Sequence, residues 1–284
     1  MRVLVFFFTL TAIVTAQNEY QITPSTIHQG ETLHLRAPAA VERAKLLGHE
    51  VPLFTDAAGT RRGLMPVGAL EPAGETALQF LDAKGQAIQT QTVMIHDAHY
   101  PRQNIVIPPA VAALKPSEEE EERIDAFLKT ITDTRYWKEP LAAPVNACLT
   151  SLFGVARMHN GKLTGDYHKG WDQAAVFGIP IHSVAAGVVR IVKQFPEGGG
   201  TVAVDHGQGL QSIYLHMSRF QAHEGEQVAA GAVLGYVGST GRSTGPHLHW
   251  GLYVAGVPVN PAQWMSAAEC NYNGATRRRN TRVK

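Results

Sequence analysis

Five residues from three short segments have the types and spacing for divalent-metal chemistry. His168 and Asp172 stand four apart in His168-Lys169-Gly170-Trp171-Asp172, His216 sits in Leu215-His216-Met217, and His247 and His249 flank Leu248. A catalytic zinc usually takes three protein ligands from imidazole nitrogen and carboxylate oxygen, keeping a fourth position for water. His168, Asp172 and His249 can supply such a set. His216 and His247 are then free to carry protons.

Local structure has to deliver these groups to one place. Side chains at i and i+2 leave the same face of a strand, so His247 and His249 point together if their segment is extended. The approach to them, Ser239-Thr240-Gly241-Arg242-Ser243-Thr244-Gly245-Pro246, is a loop whose glycines permit close access by a substrate backbone. A four-residue separation would put His168 and Asp172 on one helix face. Gly170 lies between them and a β-rich run follows, so a loop entering a strand is expected instead. The other nine of the thirteen histidines read as surface or hydrogen-bonded polar residues.

The pattern along the chain is mainly β. Over 17–97, short alternating runs such as Thr32-Leu33-His34-Leu35-Arg36 and Thr90-Gln91-Thr92-Val93-Met94-Ile95 are separated by Gly, Pro and Asp turns. An N-terminal immunoglobulin-like β-sandwich is the expectation. Residues 98–147 read as a connector, extended through Ile105-Val106-Ile107-Pro108-Pro109 and then helical from Ser117, with Glu120 completing a capping box. Ile124, Phe127, Leu128 and Ile131 form its apolar stripe, and the glutamate run from Glu118 to Glu122 favours the positive helix end. From Cys148 onward, runs at Gly187 to Val192, Thr201 to Asp205, Gln211 to His216 and His247 to Val254 predict one compact antiparallel β-sheet domain over 148–266.

The first sixteen residues carry Arg2, an apolar run and small residues ending at Ala16, the layout of a cleaved secretory signal peptide. No later stretch is apolar enough to span a bilayer, so no membrane span is expected after cleavage. The two cysteines, Cys148 and Cys270, bracket the candidate metal residues, and in an exported chain such a pair suggests a disulfide. Closing a loop of about 120 residues stabilises by roughly 3–5 kcal/mol on the chain-entropy reading. The tail over 267–284 is basic (Arg277, Arg278, Arg279, Arg282, Lys284), as a solvated end would be. No basic patch interleaves with aromatics, which speaks against nucleic acid.

Taken together, Tyr167-His168-Lys169-Gly170-Trp171-Asp172, Tyr214-Leu215-His216-Met217-Ser218 and Thr244-Gly245-Pro246-His247-Leu248-His249-Trp250-Gly251 resemble the LytM/lysostaphin-type zinc endopeptidases, which cut peptide bonds in bacterial peptidoglycan. The likeness spans about 120 residues, with Ser151 to Arg157 resembling the family's entry into its first motif. It implies a C-terminal peptidase domain, one Zn2+ per chain held by His168, Asp172 and His249, and catalytic roles for His216 and His247. It also implies peptidoglycan peptides as partners, with glycine bridges and D-Ala-to-diaminopimelate links both suiting the family. The export signal without wall-anchoring motifs favours the second bond and a periplasmic or cell-envelope location, with secretion as the alternative. A family tyrosine that steadies the oxyanion has no assigned counterpart, although Tyr167 adjoins a ligand. The alternative is an inactive wall-peptide-binding protein or an activator of another wall hydrolase.

Overall fold

A computed structural model describes residues 19–265, mainly β as expected. The signal segment, the basic tail and Cys270, and with it the expected Cys148–Cys270 bridge, lie outside the described residues. Among the described residues no helix is long and apolar enough to cross a membrane.

Strands between Gln21 and His96 form two sheets, one of four strands and one of five. Alternation explains how they meet. In Thr32–Ala37, Leu33, Leu35 and Ala37 share one face, and they pack with Ile27, Leu78, Phe80, Val93 and Ile95 of the other sheet in a common core. This is a two-sheet sandwich, to which we assign no finer class.

The connector is less extended than its prolines suggest. Its strand Arg102–Ile105 pairs in parallel with Ala156–His159, adding to a three-stranded sheet, and a single helical turn follows at Pro109–Ala112. The connector helix spans Glu118–Leu128 with Ser117 as its N-cap, whose hydroxyl accepts from the Glu120 amide at 3.2 Å. Only that half of the expected capping box forms. The Glu120 side chain turns away, to the amides of Glu197 and Gly198.

The C-terminal half holds a long antiparallel sheet with strand order Leu149–Ser151, Trp171–Gln173, Leu248–Val254, Leu210–Met217, Gly199–Gly207, Gly187–Phe195 and Gln227–Val228. It is not the single sheet expected, because Pro180–His182, Val233–Tyr236 and Arg219–Phe220 form a separate three-stranded layer. One face of the long sheet is fully covered. Trp171, Val202, Val204, Tyr214, Leu248, Trp250 and Leu252 bury there with Trp137 and Trp264. The opposite face is divided in two. At one end Phe127 of the connector helix covers Ile191, Phe195, Ala203, Ile213 and Tyr253. The other end stays open, and there the metal candidates stand.

Candidate metal centre

Register brings the ligand candidates together. Asp172 pairs directly with His249 across neighbouring strands, and His249 pairs with Leu215 on the next. Trp171 and Gln173 point into the core, so Asp172 faces outward; Leu248 and Trp250 do the same for His249. His168 enters from the preceding loop. Gly170 lets that loop pass tightly over the sheet, since a Cβ there would lie 2.3 Å from the Trp250 carbonyl oxygen. The expected loop-then-strand arrangement of this motif is what forms.

His168 Nε2 lies 2.9 Å from Asp172 Oδ1 and 3.0 Å from His249 Nδ1, and the third side of the triangle, His249 Nδ1 to Asp172 Oδ1, is 2.8 Å. The proton inventory makes this triangle informative. His168 Nδ1 donates to the Leu152 carbonyl at 2.8 Å, so the neutral ring presents a lone pair at Nε2. Asp172 also has only lone pairs to offer. Burial alone would raise its carboxyl, but the His168 and His249 rings beside it hold it well below the ordinary carboxylate range. Three electron-rich atoms thus converge where at most one proton can sit between them. Such a donor set fits a cation, and these residues could hold a metal ion.

His216 and His247 stand beside the triangle, their ring centroids 4.9 Å apart, and His216 is 6.3 Å from His249. Both rings are anchored in the same way. His216 Nδ1 donates to the Thr240 carbonyl at 2.9 Å and His247 Nδ1 to the Gly245 carbonyl at 2.8 Å. In each neutral ring Nε2 is then the free acceptor, and that of His247 lies 3.9 Å from Asp172 Oδ1. Burial, reinforced by His247 and His249, pulls the His216 imidazole down to about 3, and burial likewise lowers His249.

The position of His216 breaks strand alternation. Leu215 and His216 are adjacent, yet both line the groove. A register shift in this part of the strand and a φ of +64° at His216 rotate its side chain onto the same face as its neighbour's. The His247/His249 reasoning holds, although His247 lies just outside the regular strand, in an isolated bridge with Gly238.

Around these groups runs a cavity of about 940 Å3 whose far wall is the connector, through Ile105, Ile107, Val111 and Ile124. Residues not singled out by the motif reading support the centre. Arg157 Nη2 lies 3.2 Å from Asp172 Oδ2, holding the carboxylate oxygen opposite the triangle. Ser151 Oγ lies 3.2 Å from His168 Nδ1, and Thr240 positions His216. Tyr167 lines the cavity, with its hydroxyl pushed up to about 12 by burial. Only their proximity to the motifs marked these residues in the sequence.

Residues 166–261 match peptidase family M23. This part of the chain is an M23 peptidase domain. The M23 domain is 43% identical over 123 residues to the DD-carboxypeptidase/endopeptidase Mpg of Neisseria meningitidis serogroup B, covering 43% of this chain and 27% of that protein. It is 38% identical over 112 residues to the peptidoglycan DD-endopeptidase ShyA of Vibrio cholerae, covering 39% and 26% respectively. The chain therefore spans about a quarter of the length of these curated relatives. A Pseudomonas aeruginosa chain whose crystal structure is assigned to peptidase M23 aligns over 87% of this chain and 97% of its own, with a TM-score of 0.63 and 25% identity. All five metal and proton-transfer candidates fall inside the M23 match; Arg157 and Glu120 fall outside it.

Proposed function

We propose that this chain is an exported zinc metalloendopeptidase that hydrolyses peptide bonds of bacterial peptidoglycan, most directly the D-Ala-to-diaminopimelate cross-link. The observation that carries the proposal is the lone-pair triangle of His168, Asp172 and His249 beside two imidazoles whose Nδ1 atoms are both committed to backbone carbonyls. Relatives of the M23 domain named DD-endopeptidases support the bond. The apolar leader supports export, and we read the chain as leader 1–16, sandwich 17–97, connector 98–147, peptidase domain 148–266 and tail 267–284.

In this reading His168, Asp172 and His249 hold one zinc. When bound, zinc supplies Lewis acidity, polarising a carbonyl and bringing the pKa of water from about 16 toward 7. The protein's own groups do the rest. His216 and His247 both present Nε2 toward the centre, and burial keeps His216 neutral near pH 7, so one of the two accepts the proton of the attacking water and returns it to the leaving amine. While it holds that proton at Nε2, the same ring can donate to the developing oxyanion before passing the proton on. Arg157 keeps Asp172 oriented, and the connector wall confines the peptide to the groove.

The test is mass spectrometry of purified sacculi digested with wild type and with His168→Ala, alongside zinc content. Wild type releases cross-link-cleaved muropeptides with one zinc per chain, and the variant releases none. Identical product profiles would remove the catalytic claim, and a zinc-loaded wild type that binds sacculi without cutting would favour a wall-binding role.

A further inference from the structure

Glu120 is buried, yet among the described residues it makes no ion pair. Its neighbours on the connector helix behave differently: Glu119 pairs with Lys193 at 2.8 Å and Arg123 with Glu224 at 2.6 Å, both at the surface. The buried ring of Phe127, with Ile124 and Leu128 partly buried beside it, packs the helix on the sheet. A buried carboxylate adds no apolar packing, and its desolvation is costly unless specific donors replace water. The donors present are two successive backbone amides. Glu120 Oε2 accepts from Glu197 N at 3.0 Å and Oε1 from Gly198 N at 2.7 Å.

That turn leads directly to His216. The carbonyl of Gly198 accepts from His216 N at 2.9 Å. Gly199 adopts φ +67° and packs so tightly on Thr240 that a Cβ would lie 2.4 Å from its hydroxyl oxygen. Gly200 N donates to Thr240 Oγ1 at 2.8 Å, and the Thr240 carbonyl holds His216 Nδ1. The backbone and the ring of His216 are therefore both fixed by the segment Glu120 clamps. His216 has reason to need it, because its left-handed φ is unfavourable for a non-glycine residue and persists only where surrounding contacts enforce it.

We infer that Glu120 is a positioning residue that acts through the 197–200 turn and Thr240 to hold His216 in its working orientation, making the connector helix part of the active site. The inference rests on the proposed peptidase reading for its kinetic consequence, but not for its structural one.

The experiment uses the full chain with Glu120→Ala and Glu120→Gln, and Glu119→Ala as a control on the same helix. In the metal-free protein, NMR follows the His216 Hδ1 proton bonded to Thr240. In the zinc-loaded protein, kcat, KM and zinc content are measured. Glu120→Ala is expected to lose protection of His216 Hδ1 and to lower kcat about 10- to 100-fold. KM should stay within about twofold and zinc at one per chain, because the ligand triangle is untouched. Glu120→Gln keeps one of the two acceptors and should fall between Glu120→Ala and wild type, which also serves if the alanine variant fails to fold. Glu119→Ala should match wild type throughout. A folded Glu120→Ala protein with a lower Tm but wild-type His216 protection and kcat would overturn the inference, leaving Glu120 as a helix anchor. If wild type cuts no peptide, the peptidase reading fails while the NMR comparison still decides this one.

Discussion

Two neighbouring strands of the long sheet each carry a buried histidine, and the two rings could hardly be placed more differently. His206, in Gly199–Gly207, is fully enclosed with both nitrogens engaged: Nδ1 with the Ala186 carbonyl at 2.8 Å and Nε2 with Ser212 Oγ at 2.7 Å. Ser212 passes the network to the Tyr214 hydroxyl, which accepts from Val184 N. His216, in Leu210–Met217, has one nitrogen engaged and turns the other to the groove. Burial lowers both rings, to about 4 and about 3. A depressed imidazole is thus shared by an enclosed group and by one proposed to carry protons. The difference lies in whether a lone pair is left facing a cavity that a substrate can enter.

Substitutions can break this contrast. The largest effect is expected at the triangle, where His249→Ala leaves two donors, too few for a catalytic zinc site. Zinc should fall from one per chain to none, and activity by at least about 10³-fold. His247→Ala should instead keep its zinc while kcat drops about 10²- to 10⁴-fold, as expected for loss of a proton carrier. Zinc analysis beside kinetics separates the two, and loss of metal from His247→Ala would show that its role was misread. Arg157→Gln comes next. It leaves every ligand in place but removes a cation from Asp172 Oδ2, so zinc affinity should weaken about 10- to 100-fold, measured by competition with a chelator. Unchanged affinity would reduce Arg157 to a surface contact of the groove.

The difference between these residues also explains what could be read from the chain. His168, Asp172 and His249 are legible as metal-ligating residue types in motifs that resemble the family's, and alternation explains how two of them meet: Trp171 and Trp250 are large, apolar and paired, so Asp172 and His249 beside them face outward. Four strands of the long sheet are legible as short β-rich runs separated by glycine-rich turns. His216 was legible as a residue type but not as a position, since regular alternation would place it opposite Leu215 and only the register shift with its φ of +64° puts both in the groove. Glu120 was recognised for its helix-capping spacing, yet its side chain satisfies amides 77 and 78 residues away. The parallel pairing of Arg102–Ile105 with Ala156–His159 is equally non-local. Contacts of that range leave no periodic trace in sequence.

His206 offers the smallest and most selective effect. Its ring titrates near 4 when folded and near 6.5 when exposed in the unfolded chain. Between those values the unfolded state binds the extra proton, so this group's contribution to stability is complete above about pH 6.5 and is lost as pH falls toward 4. The slope cannot exceed one proton, or about 1.4 kcal/mol per pH unit. Other groups titrate in the same window, including His216, so the informative quantity is a difference. Unfolding free energy measured from pH 7 to pH 4 on metal-free wild type and His206→Gln should show the variant less stable at pH 7 but shallower in slope by up to one proton. Parallel curves would mean that His206 takes up its proton over the same pH range folded and unfolded, the Ala186 carbonyl and Ser212 Oγ then accepting from both nitrogens of the charged ring. In that case burial would not depress this ring, and the contrast with His216 would rest on ease of protonation as well as on access to the groove.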